Sequence, residues 1–213
     1  MGVGVSQEVA TQNMAARFPF REDKAVAGLS LILKLSGSAR SKGELVKLLY
    51  LADRATLLKR GSPITGDLFC ALPHGMILSK TLNLIDGVLE DQPSDLFEAS
   101  FEAADHQSIK LKGEASFGAL SKLEIAAIEA VFAEHGGKSF GELKKLTHDL
   151  PEYEDPEGSR IEVAPETILR LEGRSADEIA QMAGRAQELS DTAATFKKLA
   201  MGTGTAERCA PRP

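Results

Sequence analysis

Residues 46–86 read VKLLYLADRATLLKRGSPITGDLFCALPHGMILSKTLNLID, and this stretch carries the pattern that decides the fold. Its beginning places apolar residues at the i, i+3, i+4, i+7 spacing of one helical face: Leu45, Leu48, Leu49 and Ala52. Gly61 is suited to end this helix in a left-handed turn. A short apolar strand over Leu68–Leu72 follows, and the turn Pro73–Gly75 then directs the chain into a helix predicted from about Leu78 to Leu89. The stretch therefore indicates packing, and nothing in it is built for catalysis.

Helices dominate the rest of the chain, and several begin at a recognisable cap. The predicted helices are Asp23–Leu35, Gly43–Arg60, Lys122–His135, Phe140–Asp149, Pro165–Leu171 and Ala176 to about Leu199. Three of them start with a capping box, in which a serine hydroxyl and a glutamate carboxylate bond otherwise unpaired amides: Ser121 with Glu124, Ser139 with Glu142, and Ser175 with Glu178. Phe97–Ala103 and Ser108–Lys112 flank the polar tetrapeptide ADHQ, which predicts a β-hairpin, and Asp91–Asp95 before it is expected to be loop. The expected fold class is α+β, predominantly α-helical: a single compact helical domain with a small antiparallel β-hairpin or sheet.

The two ends of the chain differ from its middle in composition. Residues 1–21 mix small and polar types without sustained periodicity, and the last dozen residues, GTGTAERCAPRP, are rich in turn formers. We therefore expect a mobile N-terminal tail over residues 1–21, a folded domain over 22–172, and a C-terminal helix with a flexible tail over 173–213.

Composition and charge narrow the class of protein. The 213 residues are 43% hydrophobic and carry a net charge of -6, so no global field attracts phosphate backbones, and nucleic acid is not expected as a partner. Only Cys70 and Cys209 occur, which indicates no disulfide framework and favours a reducing compartment. No apolar run approaches the roughly 18 residues that a membrane span needs. The N-terminal residues do not resemble a secretory signal, so a cytoplasmic protein without a membrane partner is expected.

A search for chemistry in the sequence finds no strong motif. Cys70 and His74 are the only close pair of metal-ligand residues, which predicts no metal site. The phosphate-binding motifs GxGxxG and GxxxxGK[ST] are absent, so no cofactor is expected. Cys70 with His148 as nucleophile and base would make a small hydrolase, and this is a distant alternative to a chain without catalytic residues.

Two groups of charged residues have simple structural interpretations. The acidic segment Glu152–Ser159, EYEDPEGS, is expected to be a solvated loop because it lacks the regular spacing of a cation-binding loop. Arg54, Lys59 and Arg60 lie near the end of a predicted helix, where cations complement the helix dipole. Neither group requires a ligand.

Several motifs together carry a family resemblance. They are KLLYLAD (Lys47–Asp53), ITGDLFCALPHG (Ile64–Gly75) leading into LSKTLNLI (Leu78–Ile85), LSKLE (Leu120–Glu124), and THDLPEYEDPEGS (Thr147–Ser159) followed by an Ile-Glu-Val strand or turn. In this order and spacing they resemble the Panacea domain, the SocA-like antitoxin family, over about Glu22 to Met182. The chain departs from the family where Gly75-Met76-Ile77 stands in place of the usual Gly-Pro-Val, and where Tyr153 stands in place of the usual tryptophan near the acidic loop. Tyr153 keeps an aromatic anchor with a polar tip.

The resemblance implies a function in protein binding. It implies an antitoxin that neutralises a cognate protein toxin by contact, either as a proteolytic adaptor that delivers the toxin to the ClpXP protease or by simple occlusion of the toxin. A regulatory or phage-associated scaffold of the same fold, without a toxic partner, is the nearest alternative. The candidate interaction surface lies where the second helix, the Phe69 strand and the helix ending at Asp149 meet. Its candidate residues fall on the family motifs: Tyr50, Asp53, Thr65, Phe69, His74, Gly75, His148 and Tyr153.

Overall fold

One buried helix organises the fold in the computed structural model, which describes residues 17–88 and 94–202. Within these residues the elements in chain order are α1 (Glu22–Ser36), β1 (Arg40–Ser41), α2 (Lys42–Arg60), β2 (Phe69–Leu72), β3 (Gly75–Leu78), α3 (Ser79–Ile85), α4 (Asp95–Ser100), β4 (Phe101–Ala103), β5 (Ser108–Leu111), α5 (Lys122–His135), α6 (Phe140–His148), β6 (Ile161–Val163), α7 (Pro165–Leu171) and α8 (Ala176–Gly202). The predominantly helical α+β class predicted from the sequence is confirmed.

Helix α2 lies at the centre because apolar residues occupy almost its whole circumference. Residues from Leu45 to Asp53 are all buried, and the helix contacts α1, α5, α6, α7 and β3. It begins with a capping box that the sequence analysis did not find: Ser41 accepts a hydrogen bond from the Glu44 amide, and Glu44 accepts one from the Ser41 amide. It ends as predicted at Gly61, which has a φ of 71°. A helix segment that is apolar on all sides is buried, and this one forms the centre of the hydrophobic core.

The chain after α2 forms an antiparallel sheet in the order β3-β2-β6. Cys70 on β2 lies between Ile77 on β3 and Glu162 on β6. The helix predicted from about Leu78 to Leu89 begins at Ser79, as expected, but it ends earlier, at Ile85. The sequence analysis missed strand β3, which pairs with β2 directly before this helix. A short apolar run carries no periodicity that separates strand from helix, which explains the error.

A second antiparallel sheet, in the order β1-β5-β4, contains the predicted hairpin. The prediction that its first arm begins at Phe97 is wrong, since Asp95–Ser100 forms helix α4 and the strand starts at Phe101. Ser94 begins that helix by accepting a hydrogen bond from the Phe97 amide at 3.0 Å. The loop predicted over Asp91–Asp95 lies partly outside the described residues, and its last residue belongs to α4.

The second half of the chain follows the predicted helix starts closely. All three predicted capping boxes form, at Ser121, Ser139 and Ser175. Helix α8 packs on the rest of the chain through Met182 and Ala186, which are buried. The exposed fractions of Leu189, Phe196 and Leu199 on the same helix lie between 51% and 68%. The distal part of α8 therefore extends beyond the packed body.

The described part of the predicted N-terminal tail contacts the body. The Arg21 amide donates to the Thr65 carbonyl at 2.8 Å, and Phe18 and Phe20 pack against the core. The predicted mobility of residues 1–16 and 203–213 concerns segments outside the described residues. None of the helices that the structure describes is long and apolar enough to cross a membrane.

Candidate functional site

The structure separates the eight candidate residues into a buried group and a surface group. Tyr50, Asp53, Thr65, Phe69 and Gly75 are buried. His74 is exposed, and His148 and Tyr153 are partly exposed. Direct contact of these residues with a partner stays a prediction. The exposed group could touch a partner, whereas the buried group could only position the surface.

Four side chains form a patch that we call the aromatic surface: His74, Phe140, His148 and Tyr153. The His148 and Tyr153 rings stack with centroids 4.2 Å apart, and the His74 and Phe140 rings meet edge to face at 6.3 Å. The turn between β2 and β3 joins the two pairs, because His148 bonds the Pro73 backbone and the Tyr153 hydroxyl donates to a β2 carbonyl at 3.4 Å. The structure therefore brings together the end of α6, the following loop and the β2–β3 turn.

Phe140 was missed by the sequence analysis as a member of this surface. It is the first residue of α6, and 37% of its surface is exposed. Its sequence signal was only its place directly after the Ser139 cap, which predicts a helix start and says nothing about exposure. A large exposed aromatic residue beside a second aromatic pair is a typical anchor of protein interfaces.

His148 carries an unsatisfied polar atom. Its Nε2 is buried and has no hydrogen-bond partner among the residues that the structure describes. Burial first, and then the positive charges of Lys144 and Lys47, lower the pKa of His148 below its ordinary value, so the ring is neutral at pH 7. A buried polar atom without a partner in the protein costs stability.

Lys47 lies directly beneath the aromatic surface. Its Nζ donates to Thr147 Oγ1 at 3.1 Å and to the Met76 carbonyl at 3.3 Å, and it lies 5.9 Å from the centroid of the Phe140 ring. Only 1% of the residue is exposed. Burial, aided by the charge of Lys144, lowers its pKa to about 8. This lysine holds α2, α6 and β3 in one arrangement.

Gly75 lets the β2–β3 turn approach α6 closely. Its φ is 97°, and an ideal Cβ there would lie 2.2 Å from Thr147 Oγ1 and 2.8 Å from Lys47 Nζ. A side chain at this position would meet both a strained backbone conformation and occupied space. The turn therefore requires glycine, and this requirement keeps His74 and His148 close together.

We predict that Gly75→Ala lowers the free energy of unfolding by about 3 kcal/mol, through a positive φ and overpacking together. Gly37→Ala is the matched control, because Gly37 has a φ of 65° and no atom within 4 Å of an ideal Cβ. The control is expected to lose only about 1 kcal/mol. Urea denaturation followed by circular dichroism measures both variants. Equal losses would show that the contact with α6 contributes nothing.

The prediction of Glu152 as part of a solvated acidic loop is wrong. Its side chain is fully buried, and it accepts hydrogen bonds from the Tyr50 hydroxyl at 2.5 Å and from Arg54 Nε at 2.6 Å. Arg54 Nη2 also donates to the second Glu152 oxygen at 3.1 Å and bonds Glu172. Burial alone would raise the pKa of Glu152, but the hydrogen bonds from Arg54 and Tyr50 outweigh it and lower the pKa.

This network explains Arg54 better than the helix dipole does. Arg54 lies a turn and a half before the end of α2 and forms a bidentate pair with a buried carboxylate. Burial first, and then the negative charge of Glu152, raise the pKa of the Tyr50 hydroxyl well above its usual value, so Tyr50 stays a donor. The network ties the loop that carries Tyr153 to α2. It therefore positions one end of the aromatic surface.

Asp53 organises the loop between α2 and β2. It accepts hydrogen bonds from the amides of Ile64 at 3.0 Å and Thr65 at 3.1 Å, and from the Thr65 hydroxyl. Asp67, which the sequence analysis did not single out, then accepts from the Lys80 and Thr81 amides at the start of α3. The two carboxyl groups are buried and bond backbone amides, so each serves the fold directly.

Asp53 is expected to make the stability depend on pH. Burial raises its pKa from 3.8 to about 7, so the folded state binds the proton more tightly than the unfolded state does. Between pH 3.8 and about pH 7, the contribution of Asp53 to the free energy of unfolding falls as the pH rises. The slope is up to about 1.4 kcal/mol per pH unit. The variant Asp53→Asn keeps a side-chain oxygen that accepts from the backbone amides, and it removes the titratable group. Urea denaturation across this pH window should show a wild type that loses stability relative to the variant. A relative gain would show that the carboxylate is ionised throughout.

The distant hydrolase alternative gains no support from Cys70. The thiol is buried on β2, its hydroxyl neighbour is Ser79, and burial raises the pKa of the thiol, which opposes thiolate formation. His148 is engaged with Tyr153 and the Pro73 backbone. Among the described residues there is also no group of three His, Cys, Asp or Glu side chains that would hold a metal ion.

Comparison with known proteins adds one positive finding. A family model described as antitoxin SocA-like, Panacea domain, matches residues 45–153. The comparison with curated proteins found no match, and neither did the comparison with solved structures. The matched segment runs from the first turns of α2 to Tyr153. It contains the whole aromatic surface and the buried residues beneath it, Lys47, Tyr50, Gly75, Thr147 and Glu152.

Proposed function

Because this chain belongs to the Panacea domain family of SocA-like antitoxins, we propose that it neutralises a cognate protein toxin by direct contact. The aromatic surface is the proposed place of contact. The observation that carries this choice is the exposed ring pair of His74 and Phe140, which stands next to the stacked pair of His148 and Tyr153 inside the matched segment. Aromatic side chains dominate the binding energy of protein interfaces when a rigid base holds them.

The buried candidates supply that base. Lys47 and Gly75 fix the turn against α6, while Tyr50 and Arg54 hold the loop through Glu152. A surface that is already ordered loses little conformational freedom on binding, so more of the contact energy appears as affinity. The buried candidates act as positioning residues, and the exposed candidates contact the toxin.

We further propose that the antitoxin is a proteolytic adaptor in the cytoplasm that delivers the toxin to a ClpXP-type protease. The distal part of α8 supports this proposal, since each side chain described beyond Ser190 is exposed. A helix that extends from the body is suited to engage a second protein while the aromatic surface holds the first. Bridging of this kind raises the effective concentration of the toxin at the protease without a strong individual contact. This function requires no catalytic step in the chain itself.

Co-expression with the product of the adjacent reading frame tests both proposals. The adjacent product alone is expected to arrest growth, and this chain is expected to restore growth when it is present. Restoration in cells with the protease and its loss in cells without the protease would support delivery. Restoration in both strains would contradict delivery and support occlusion of the toxin. No arrest by the adjacent product would contradict a toxin partner and favour a regulatory scaffold.

A further inference from the structure

A cleft at the C-terminal end of α2 is lined by more cationic than anionic side chains. It has a volume of about 200 Å³ and lies between the last turn of α2, α7 and the first turns of α8. Its apolar lining comes from the buried residues Leu57, Leu169 and Met182 and from Leu58, which is partly exposed. Four cationic side chains and one carboxylate surround this lining: Lys59, Arg60, Arg174, Arg185 and Glu178. The cleft is therefore positive in a chain whose net charge is -6.

Only some of the charged side chains around the cleft have partners among the described residues. Arg174 pairs with Glu178 at 3.1 Å and also bonds the Leu58 carbonyl. Lys59, Arg60 and Arg185 are exposed, and in the described part of the chain they have no ion pair. Three exposed cations without a carboxylate partner among the described residues border one cleft, so an anionic group bound there would meet complementary charge.

The helix dipole accounts for only part of this arrangement. Lys59 and Arg60 lie in the last turn of α2, where they complement the partial negative charge of the helix end. Arg185 belongs to the third turn of α8 and gains nothing from that dipole, yet it borders the same cleft. Cations from two elements that converge around an apolar lining are typical of a site for a ligand that has both anionic and apolar groups.

We propose that this cleft binds an acidic segment of a partner protein that also places an apolar side chain against Leu58, the partly exposed apolar residue of the lining. The carboxylates of the segment would pair with Lys59, Arg60 and Arg185. The apolar lining favours a peptide over a nucleic acid backbone, and three free cations are fewer than the 6–10 phosphate contacts typical of DNA-binding proteins. The site is separate from the aromatic surface, so the chain holds proteins at two places.

A short peptide provides the test, since no toxin is needed for it. The probe is a fluorescein-labelled peptide with one leucine between two runs of glutamate, and fluorescence anisotropy measures its binding to the full chain. We expect binding that weakens as salt is added, because exposed ion pairs are screened. A matched peptide with glutamine in place of glutamate is expected not to bind. Equal binding of both peptides would overturn the proposal, as would displacement of the acidic peptide by duplex DNA.

Charge reversal locates the peptide on the chain. Arg60→Glu combined with Arg185→Glu is expected to weaken binding of the acidic peptide about tenfold or more. Lys112→Glu combined with Lys122→Glu changes the net charge equally at exposed positions outside the cleft and is expected to leave affinity within about twofold. Circular dichroism confirms that each variant is folded, and Arg60→Gln with Arg185→Gln repeats the test without new carboxylates. Equal weakening by both charge-reversed pairs would contradict a defined site.

Discussion

Replacement of Arg54 by methionine is expected to lower the free energy of unfolding by about 3 to 5 kcal/mol. The substitution removes both hydrogen bonds that Arg54 donates to Glu152, whose side chain is 0% exposed. Of its side-chain partners Glu152 would then keep only the Tyr50 hydroxyl, and a buried carboxylate without a cation is costly. Methionine fills most of the space of the arginine stem, so lost packing contributes little. Urea denaturation at neutral pH measures the change.

Two further variants separate the buried pair from its exposed neighbour. Arg54→Met with Glu152→Leu and Tyr50→Phe is expected to recover most of the lost stability, because neither a buried charge nor an unpaired buried hydroxyl remains. Glu172→Gln is expected to cost less than about 1 kcal/mol, since its side chain is 36% exposed and solvent screens the pair with Arg54. A loss below 1 kcal/mol for Arg54→Met alone would contradict the structural role of this network.

Loss of the aromatic surface is expected to abolish neutralisation while the fold is kept. Phe140→Ala and Tyr153→Ala should each weaken toxin binding about 30-fold or more, the effect of removing an interface residue worth about 2 kcal/mol. Both residues are partly exposed, so the variants should remain folded. Surface plasmon resonance with the adjacent gene product measures affinity, and growth in co-expressing cells measures neutralisation.

Leu123→Ala is the matched control for the aromatic variants. Leu123 lies on α5 with 61% of its surface exposed, so it is a large apolar side chain outside the aromatic surface. This variant should bind the toxin as the wild type does. Unchanged affinity in both aromatic variants would exclude the proposed contact surface. It would leave the family assignment intact, since that rests on the sequence match over residues 45–153.

Local signals in the sequence predicted the helices well. The starts of α5 and α6 follow from the serine and glutamate pairs of their capping boxes, which bond amides within the same turn. The end of α2 was also predictable from a local signal, because Gly61 alone can form the left-handed cap that ends the helix. Strand β3 was missed because a buried run of four residues carries no period that distinguishes strand from helix.

The supports of the aromatic surface were not predictable from the sequence, because they join distant segments. Glu152 lies 98 residues from Arg54, and Lys47 lies 100 residues from Thr147. A charged residue is predicted to be exposed unless a partner for it is known. The acidic loop was therefore predicted to be solvated. The resemblance to a family singled out Tyr153 and His148, whose rings stack in the structure. Only the fold shows that Phe140 lies near them.

The most direct test of this account is isothermal titration of the purified chain with the purified product of the adjacent reading frame. The account predicts a saturable complex, and a marked loss of affinity when Phe140→Ala and Tyr153→Ala are combined. The absence of any binding, with both proteins shown to be folded, would contradict the central claim that this chain acts by holding another protein.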